Sequence, residues 1–434
     1  MMFDANTAIA LLFGTFFLFI ICRLPITFAL AGSTAITMLY VHVPLMSLVQ
    51  QMSKAINSFS LMAIPFFILA GEIMCAGGIS DRLLAFANVL VGRFRGGLSH
   101  VNILASMFFG GISGSAVADV SSLGSVEIPM MKKAGYSGEF STAVTVASAC
   151  QGVLVPPSHN MIIYSLAAGG VSVGALFLAG FIPGILLGCC LLMVSVYMSV
   201  KHHYPKGSAV GLREALSTTK DAFFALGTAF IILFGTALGF FTATESAAIA
   251  CVYAFLVSVF IYRELKMNMM PRILMNTVKT LAMVFSLIAA AGAFGWMMAF
   301  LKVPAIITHG VLSISDNPLV ILFAMNILLL FLGAVMDMAP LIVIMTPILL
   351  PVATACGMSP VQFGVMLIYN LAIGLCTPPV GSALFVGCGI AKLPMERVGK
   401  AMIPMYAAMF IGLMLVTFVP QFSMTLPTML GALK

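Results

Sequence analysis

Long stretches of this sequence carry almost no charge, and this feature constrains the fold more than any other. Between Lys133 and Lys201 the only charged side chain is Glu139, whereas a helix that spans a bilayer needs about 20 mostly apolar residues. That segment alone is long enough for two crossings. Over the whole chain 62% of residues are hydrophobic and 8% are charged, compared with about 25% charged residues in soluble domains. The sequence therefore predicts an all-α polytopic membrane protein and excludes soluble folds.

Two apolar segments, 98–131 and 319–350, are too long for a single crossing. Each is interrupted centrally by Gly, Ser, Asp or Pro. We predict that each forms a re-entrant helical hairpin, which enters the membrane and returns to the same side. The remaining apolar runs predict crossings at 7–22, 24–41, 59–76, 139–168, 172–200, 219–241, 246–262, 280–300, 361–390 and 401–424.

The distribution of basic residues supports the two hairpins. If both re-enter and the N-terminus faces outward, all but three of the 20 Lys and Arg residues lie on one side, and Lys54, Lys302 and Lys434 lie on the other. Cytoplasmic loops are enriched in Lys and Arg, so both termini are predicted to be periplasmic. The same enrichment accounts for the net charge of +7 without a nucleic-acid partner. Met1–Thr7 contains no basic residue, so we expect the first helix to be retained rather than cleaved.

The chain contains an internal repeat. A shift of 222 residues aligns Gly152 with Gly374 and the Pro-Pro pair at 156–157 with the pair at 378–379. All seven identities in this 47-residue overlap are Gly, Pro or Ser, and Gly and Pro set backbone geometry. The first unit has five crossings and a hairpin, so the second runs in the opposite direction as an inverted-topology repeat. The predicted units are 1–200, with its hairpin at 98–131 and broken helix at 139–168, and 229–434, with its hairpin at 319–350 and broken helix at 361–390, joined by a cytoplasmic connector at 201–228.

In each unit we predict a cation site at the point where the hairpin tip meets the broken helix. Inverted repeats with interrupted helices are typical of secondary transporters, in which unwound backbone carbonyls bind Na+. A Pro-Pro pair removes two backbone donors, which leaves carbonyl groups in a medium without water. Thr377 supplies a hydroxyl in the second unit. No cysteine has metal-ligand spacing, so we expect Na+ as the only metal ion, no transition metal and no cofactor. In the first unit the predicted ligands are the hydroxyl of Ser113 or Ser115 and the carbonyls of Gly152, Val155 and Pro156.

Several polar side chains near the breaks have alternative interpretations. Asp337 either lines the ion or substrate path or caps the returning half-helix, and Asp119 is predicted to be a cap. His159 either shuttles protons, makes hydrogen bonds within the core or contacts the substrate. The first Pro-Pro pair is followed by a more polar stretch than the second, so we expect the first half to contact the substrate. The residues predicted to line the ion or substrate path are Ser115, Asp337, Ser158, His159 and Asn160.

Four stretches resemble the large membrane subunit of tripartite ATP-independent periplasmic (TRAP) transporters: Ile64–Met74, Ser113–Asp119, Thr244–Ala247 and Gly374–Gly381. The resemblance implies an elevator-type mechanism and sodium-driven uptake of a carboxylate, such as a sialic acid or a C4-dicarboxylate, across the bacterial inner membrane. It also implies two partners, a small four-helix membrane subunit and a periplasmic substrate-binding protein. The sodium sites that it implies are formed by Ser113, Gly152, Val155 and Pro156, and by Gly333, Gly374, Thr377 and Val380.

Two other functions remain open from the sequence. A stand-alone ion-coupled organic anion transporter with similar hairpins binds its substrate without a binding protein. An intramembrane serine protease is the remote alternative, because Gly111–Gly114 matches the GxSG pattern around the nucleophile of rhomboid-like proteases. However, such a protease needs no inverted repeat, and the position aligned with Ser113 is Val335. We therefore do not expect an enzyme.

Overall fold

The computed structural model describes residues 4–207, 211–237, 240–315 and 317–432. The regular structure of these residues is helical, apart from one isolated β-bridge between Arg95 and Lys206. The predicted all-α class is therefore confirmed. Met1–Phe3 and Lys434, which bear on the predictions about the chain ends, lie outside the described residues.

Polar caps begin several of the helices. Side-chain oxygens of Asp4, Ser137 and Ser359 each accept a hydrogen bond from a backbone N–H of the helix that follows. Thr242 and Glu245 form a reciprocal capping box. The first ten helices are α1 (Ala5–Ile21), α2 (Ile26–Tyr40), α3 (Met46–Ile56), α4 (Ala63–Ala76), α5 (Ile79–Val91), α6 (Gly97–Ser113), α7 (Ala116–Lys133), α8 (Gly138–Gly152), α9 (His159–Ala167) and α10 (Val173–Lys201).

The second half of the chain contains ten further helices within the described residues. A π-helical turn, Val257–Ile261, extends α12, and short 3-10 turns precede α4 and α13. The helices are α11 (Leu212–Ala237), α12 (Ala243–Leu256), α13 (Met270–Phe300), α14 (Val303–Ile314), α15 (Pro318–Val335), α16 (Met338–Ala355), α17 (Pro360–Leu375), α18 (Ser382–Ala391), α19 (Met395–Phe418) and α20 (Gln421–Met429).

The number of long apolar helices is smaller than the number of predicted crossings. Among the described residues, seven helices are long and apolar enough to cross a membrane, or eight if α4 and α5, bent by 72°, count as one span. The predicted crossings at 139–168 and 361–390 each consist of two short helices. The predicted connector at 201–228 is not a simple loop, because α11 begins at Leu212 within it.

The helix boundaries repeat along the chain. Adding 222 to the bounds of α7, Ala116–Lys133, gives 338–355, which are the bounds of α16. The same addition places α8 at 360–374 and α9 at 381–389, within two residues of α17 and α18 at every end. Adding it to α5 gives 301–313, close to α14. The two halves therefore share one order of helices from α5 to α9 and from α14 to α18.

The first halves of the two broken helices form the centre of the protein. Every residue is buried from Phe140 to Gly152 in α8 and from Val361 to Leu375 in α17, as expected for helices that are covered on all sides. We define hairpin 1 as α6 with α7 and hairpin 2 as α15 with α16. The second helix of hairpin 1, α7, packs along α18, and the second helix of hairpin 2, α16, packs along α9. Each hairpin thus contacts the broken helix of the other half.

Candidate ion and substrate site

In the first half, the tip of hairpin 1 lies directly against break 1, the turn at 153–158 between α8 and α9. A Cβ atom built on Gly152 would lie 2.6 Å from Gly110 Cα, and one built on Gly110 would lie 2.1 Å from Gly152 Cα. Because side chains do not tolerate such distances, only glycine permits this approach. Helices α6 and α8 therefore touch through their backbones close to the points where each ends.

Two further contacts join this tip to break 1. The carbonyl oxygen of Pro156 lies 3.0 Å from the position of a Cβ on Gly111. The side-chain amide of Asn160 donates a hydrogen bond to the carbonyl oxygen of Gly114, with a distance of 3.1 Å. These two facing segments contain all four residues that the resemblance implied for the first sodium site: Ser113, Gly152, Val155 and Pro156.

The second half repeats this arrangement at break 2, the turn at 376–381 between α17 and α18. A Cβ on Gly374 would lie 2.6 Å from Gly333 Cα, and the Val380 N–H donates to the Ala334 carbonyl oxygen at 3.1 Å. The Thr377 hydroxyl donates to a carbonyl of the preceding turn at 2.7 Å, and its oxygen retains lone pairs for a cation. The structure brings Gly333, Gly374, Thr377 and Val380 to one place.

Equivalent positions tie each break to its tip. Asn160 and Ser382 are 222 residues apart, and each donates a hydrogen bond across its own site. Asn160 bonds to the Gly114 carbonyl, whereas the Ser382 hydroxyl bonds to Asp337 Oδ1 at 3.3 Å. The two donors therefore serve the same purpose with different chemistry, a backbone acceptor in one half and a carboxylate in the other.

Helix ends of both polarities meet at the tips and breaks. Helices α6, α8, α15 and α17 end there, and helix C-termini present free carbonyl groups and partial negative charge. Helices α7, α9, α16 and α18 begin there, and helix N-termini present free N–H groups that favour anions. The arrangement therefore offers adjacent environments for a cation and an anion without requiring an ionised side chain.

The two breaks differ in exposure. Pro156, Pro157 and Ser158 are buried at break 1, whereas Pro378 and Pro379 are exposed at break 2. Val380, aligned with Ser158, is 48% exposed, and Val335, at the tip of hairpin 2, is 45% exposed. Break 1 is therefore buried within the chain, whereas break 2 lies at its surface.

The structure corrects the predicted roles of two aspartates. Asp337 occupies the N-cap position of α16, yet its side chain makes no capping hydrogen bond and instead accepts one from Ser382. Asp337 is therefore an exposed carboxylate at the tip of hairpin 2, and the capping alternative is wrong. The prediction that Asp119 is a cap is also wrong, because Ser115 caps α7 by accepting from the Ala118 N–H at 3.3 Å.

The polar stretch after break 1 faces the tip of hairpin 1. Ser158 is fully buried, and its hydroxyl has no hydrogen-bond partner among the described residues. His159 is half-buried, with its Nδ1 atom 2.9 Å from the position of a Cβ on Gly114. Asn160 is 4% exposed. Proton transfer through His159 stays a prediction.

Two buried carboxyl groups of α7 were not assigned to the path from the sequence. Asp119 and Glu127 are 0% and 1% exposed. Asp119 Oδ1 accepts from the Ser106 hydroxyl at 3.4 Å, while Asp119 Oδ2 and both Glu127 oxygens have no partner among the described residues. Acidic residues at membrane depth are costly and usually functional. Their position within an apolar hairpin was the signal available in the sequence.

The long apolar helices are those of a multi-pass membrane protein. The fold is similar to the crystal structure of the YdaH transporter of Alcanivorax borkumensis, with a TM-score of 0.63, 14% sequence identity and 88% of each chain covered. At that identity the likeness concerns the fold alone.

Residues 13–422 match the family described as "Tripartite ATP-independent periplasmic transporter, DctM component", and the chain belongs to this family. It is 44% identical over 430 residues to YgiK of Salmonella typhimurium, covering 98% of this chain and 99% of that protein. It is 42% identical over 378 residues to the sialic acid TRAP transporter large permease protein SiaM of Vibrio cholerae, covering 87% and 88%. It is 35% identical over 436 residues to the C4-dicarboxylate TRAP transporter large permease protein DctM of Rhodobacter capsulatus, covering 97% and 99%. The predicted family is confirmed, and the chain is a transporter subunit rather than a protease.

Proposed function

We propose that this chain carries an organic anion across the bacterial inner membrane, driven by a sodium gradient. The anion is a carboxylate such as a sialic acid or a C4-dicarboxylate, the substrates that the names of SiaM and DctM give for those relatives. The chain acts with a small four-helix membrane subunit and a periplasmic binding protein. The observation that carries the proposal is the meeting of helix C-termini and N-termini at the two breaks.

The paired C-terminal ends support sodium binding. In each half a glycine contact holds two helix ends together, Gly110 against Gly152 and Gly333 against Gly374. Carbonyl groups of such ends, with a hydroxyl from Ser113 or Thr377, are hard oxygen ligands of the kind that bind Na+ in transporters. Occupation of both sites neutralises the local negative potential and favours binding of a carboxylate nearby.

The N-terminal ends support anion binding. Helix α9 begins at His159 and α7 at Ala116, on either side of the contact between break 1 and hairpin 1. The Ser158 hydroxyl is buried without a partner, so a carboxylate oxygen provides the acceptor that it lacks. In this proposal both hairpins re-enter the membrane, both termini are periplasmic, and an elevator-type motion exposes the sites to each side in turn.

Uptake in proteoliposomes tests the proposal. The chain and its small membrane partner are reconstituted, and uptake of radiolabelled N-acetylneuraminate and succinate is measured with and without the binding protein and an inward sodium gradient. We expect uptake to require both. Ser113→Ala and Thr377→Ala should each raise the sodium concentration for half-maximal uptake about tenfold, equivalent to about 1.4 kcal/mol.

Ser121→Ala and Thr354→Ala are matched controls. Both hydroxyls are exposed and bond only within their own helices among the described residues, so uptake should be unchanged. Equal effects of the site variants and the controls contradict the sodium sites. Sodium-driven uptake that needs no binding protein favours the stand-alone transporter instead.

A further inference from the structure

A cavity of about 330 Å³ lies between the amphipathic helix α3 and helices α9, α13 and α16, and no residue of the two breaks lines it. Its volume is at the lower end of the range of small-molecule sites. One wall, from α3 and the residues that follow it, presents Gln51, Lys54 and Ser58. The opposite walls, from α9, α13 and α16, present mainly apolar side chains such as Ile163 and Leu166.

Among the described residues that line this cavity, Lys54 is the only charged one. It is exposed, and it has no ion pair or hydrogen bond from its side chain within the described part of the chain. An unpaired ammonium group beside an amide and a hydroxyl, opposite an apolar wall, suits a molecule with a carboxylate, further hydrogen-bonding groups and a hydrocarbon face. Carboxylate-bearing sugars and small organic acids have this chemistry.

The cavity is connected to break 1 by a single helix. Ile163 and Leu166 lie on α9, which begins at His159, and four residues of helix span about 6 Å. On the other side, α3 is held close to α13, because a Cβ on Gly292 would lie 2.3 Å from Ala55 Cβ. The position of Lys54 relative to α13 is therefore set by close helix packing.

We propose that this cavity is a vestibule site, in which Lys54 binds the carboxylate of the substrate before it moves along α9 to break 1. This inference rests on the function proposed above. Lys54 is one of the few cations on the predicted periplasmic side, where its positive charge attracts an anion and raises the rate of association. It does not contact the sodium sites, so its loss changes substrate binding and not sodium dependence.

The test measures uptake by the complete reconstituted transporter with its binding protein, using whichever of N-acetylneuraminate and succinate the wild-type complex carries. We expect Lys54→Gln to raise KM about tenfold, with an unchanged maximal rate and an unchanged sodium concentration for half-maximal uptake. Lys54→Arg, which keeps the charge, should remain close to the wild type. Absence of uptake by the wild-type complex counts against the proposed function, whereas a normal KM for Lys54→Gln overturns only the vestibule site.

A variant that moves the positive charge to a neighbouring position distinguishes an effect of the cavity from an effect of surface charge in general. The double variant Ser53→Lys/Lys54→Gln moves the cation about 100° around α3, to an exposed position that does not line the cavity. The vestibule site predicts that its KM stays as high as that of Lys54→Gln. Recovery of the wild-type KM points instead to docking of the binding protein. A Lys54→Gln effect seen only in liposomes that contain phosphatidylglycerol points to a lipid headgroup, and either outcome overturns the proposal.

Discussion

At the scale of single residues, four glycines decide how closely the helix ends approach. Gly110 and Gly152, and Gly333 and Gly374, each bring two backbones within the distance that a methyl group would occupy. Carbonyl groups from two helices can bind one cation only if the helix ends lie this close, because a side chain between the helices would hold the carbonyl oxygens too far apart. What matters at these four positions is the absence of a side chain, because a Cβ would overlap the facing backbone.

We expect Gly152→Ala to lower stability by about 1–3 kcal/mol, the usual cost of overpacking, and to abolish uptake. Its new Cβ meets Gly110 Cα, which is backbone and cannot rotate away. Thermal unfolding of the purified complex and sodium-driven uptake measure the two effects. Gly295→Ala is the control, because nothing lies within 4 Å of its Cβ, and Ala favours a helix. A similar loss in both variants contradicts the argument.

The hydrogen bonds that tie the breaks to the tips should differ in strength. Asn160→Ala removes the donor to a buried carbonyl, which should cost about 1–3 kcal/mol. Ser382→Ala removes an exposed bond of 3.3 Å and should cost much less. Unfolding of the two variants under identical conditions compares them. Equal destabilisation would contradict the difference in burial between the two breaks.

At the scale of elements, one ion pair holds the bend between α4 and α5. Arg82 Nη1 lies 2.8 Å from Glu264 Oε1, and the Arg82 guanidinium stacks 3.8 Å above the ring of Tyr262. Both partners belong to the segment that joins α12 to α13. Arginine is suited to this dual contact because its planar group bonds a carboxylate and stacks on a ring at once.

A double-mutant cycle on Arg82→Ala and Glu264→Ala should give a coupling of about 0.5–1 kcal/mol, the usual range for partly exposed pairs. Arg82→Lys keeps the charge, so most of the coupling to Glu264 should remain, and the loss of the planar stack on Tyr262 should appear as a separate destabilisation of the single variant. Thermal unfolding at low and high salt measures both effects. Arg272→Lys, an exposed position, is the control and should change nothing. A coupling of zero would mean that the ion pair does not stabilise the bend and that backbone packing alone holds it.

At the scale of the whole molecule, the two halves are alike in their helix order but not in their exposure. Ser158 is fully buried and the aligned Val380 is 48% exposed. In the proposed inverted repeat with its elevator-type motion, the sites face each side of the membrane in turn. The difference between the halves is therefore expected to reverse during transport.

Cysteine labelling tests this expectation. After replacement of the nine native cysteines, Val380→Cys should react with a water-soluble maleimide at least about tenfold faster than Ser158→Cys, because reaction requires access of the reagent to the thiol. Sodium with loaded binding protein should reduce the ratio of the two rates as the protein changes state. Equal rates without ligands contradict the asymmetry.

The sequence predicted the breaks better than the elements between them. Gly and Pro mark breaks because they change the backbone itself, so the tips at 110–115 and 333–337 and the breaks after Gly152 and Gly374 were located correctly. Helices α3, α5, α14 and α20 were not predicted, since they are short and their apolar content does not distinguish them from loops or from the ends of crossings. The prediction that Asp119 is a cap failed because α7 begins at Ala116, so that Ser115 occupies the cap position and Asp119 lies within the helix.

By itself, the sequence determined that the chain is a helical membrane protein with two matching halves. Low charge forces burial in lipid, and backbone hydrogen bonds must then be satisfied within helices. Only the tertiary structure decided that Gly110 meets Gly152, that α7 lies along α18, and that break 1 is buried while break 2 lies at the surface. These features depend on contacts between residues far apart in the chain, for which an apolar sequence offers many nearly equivalent partners.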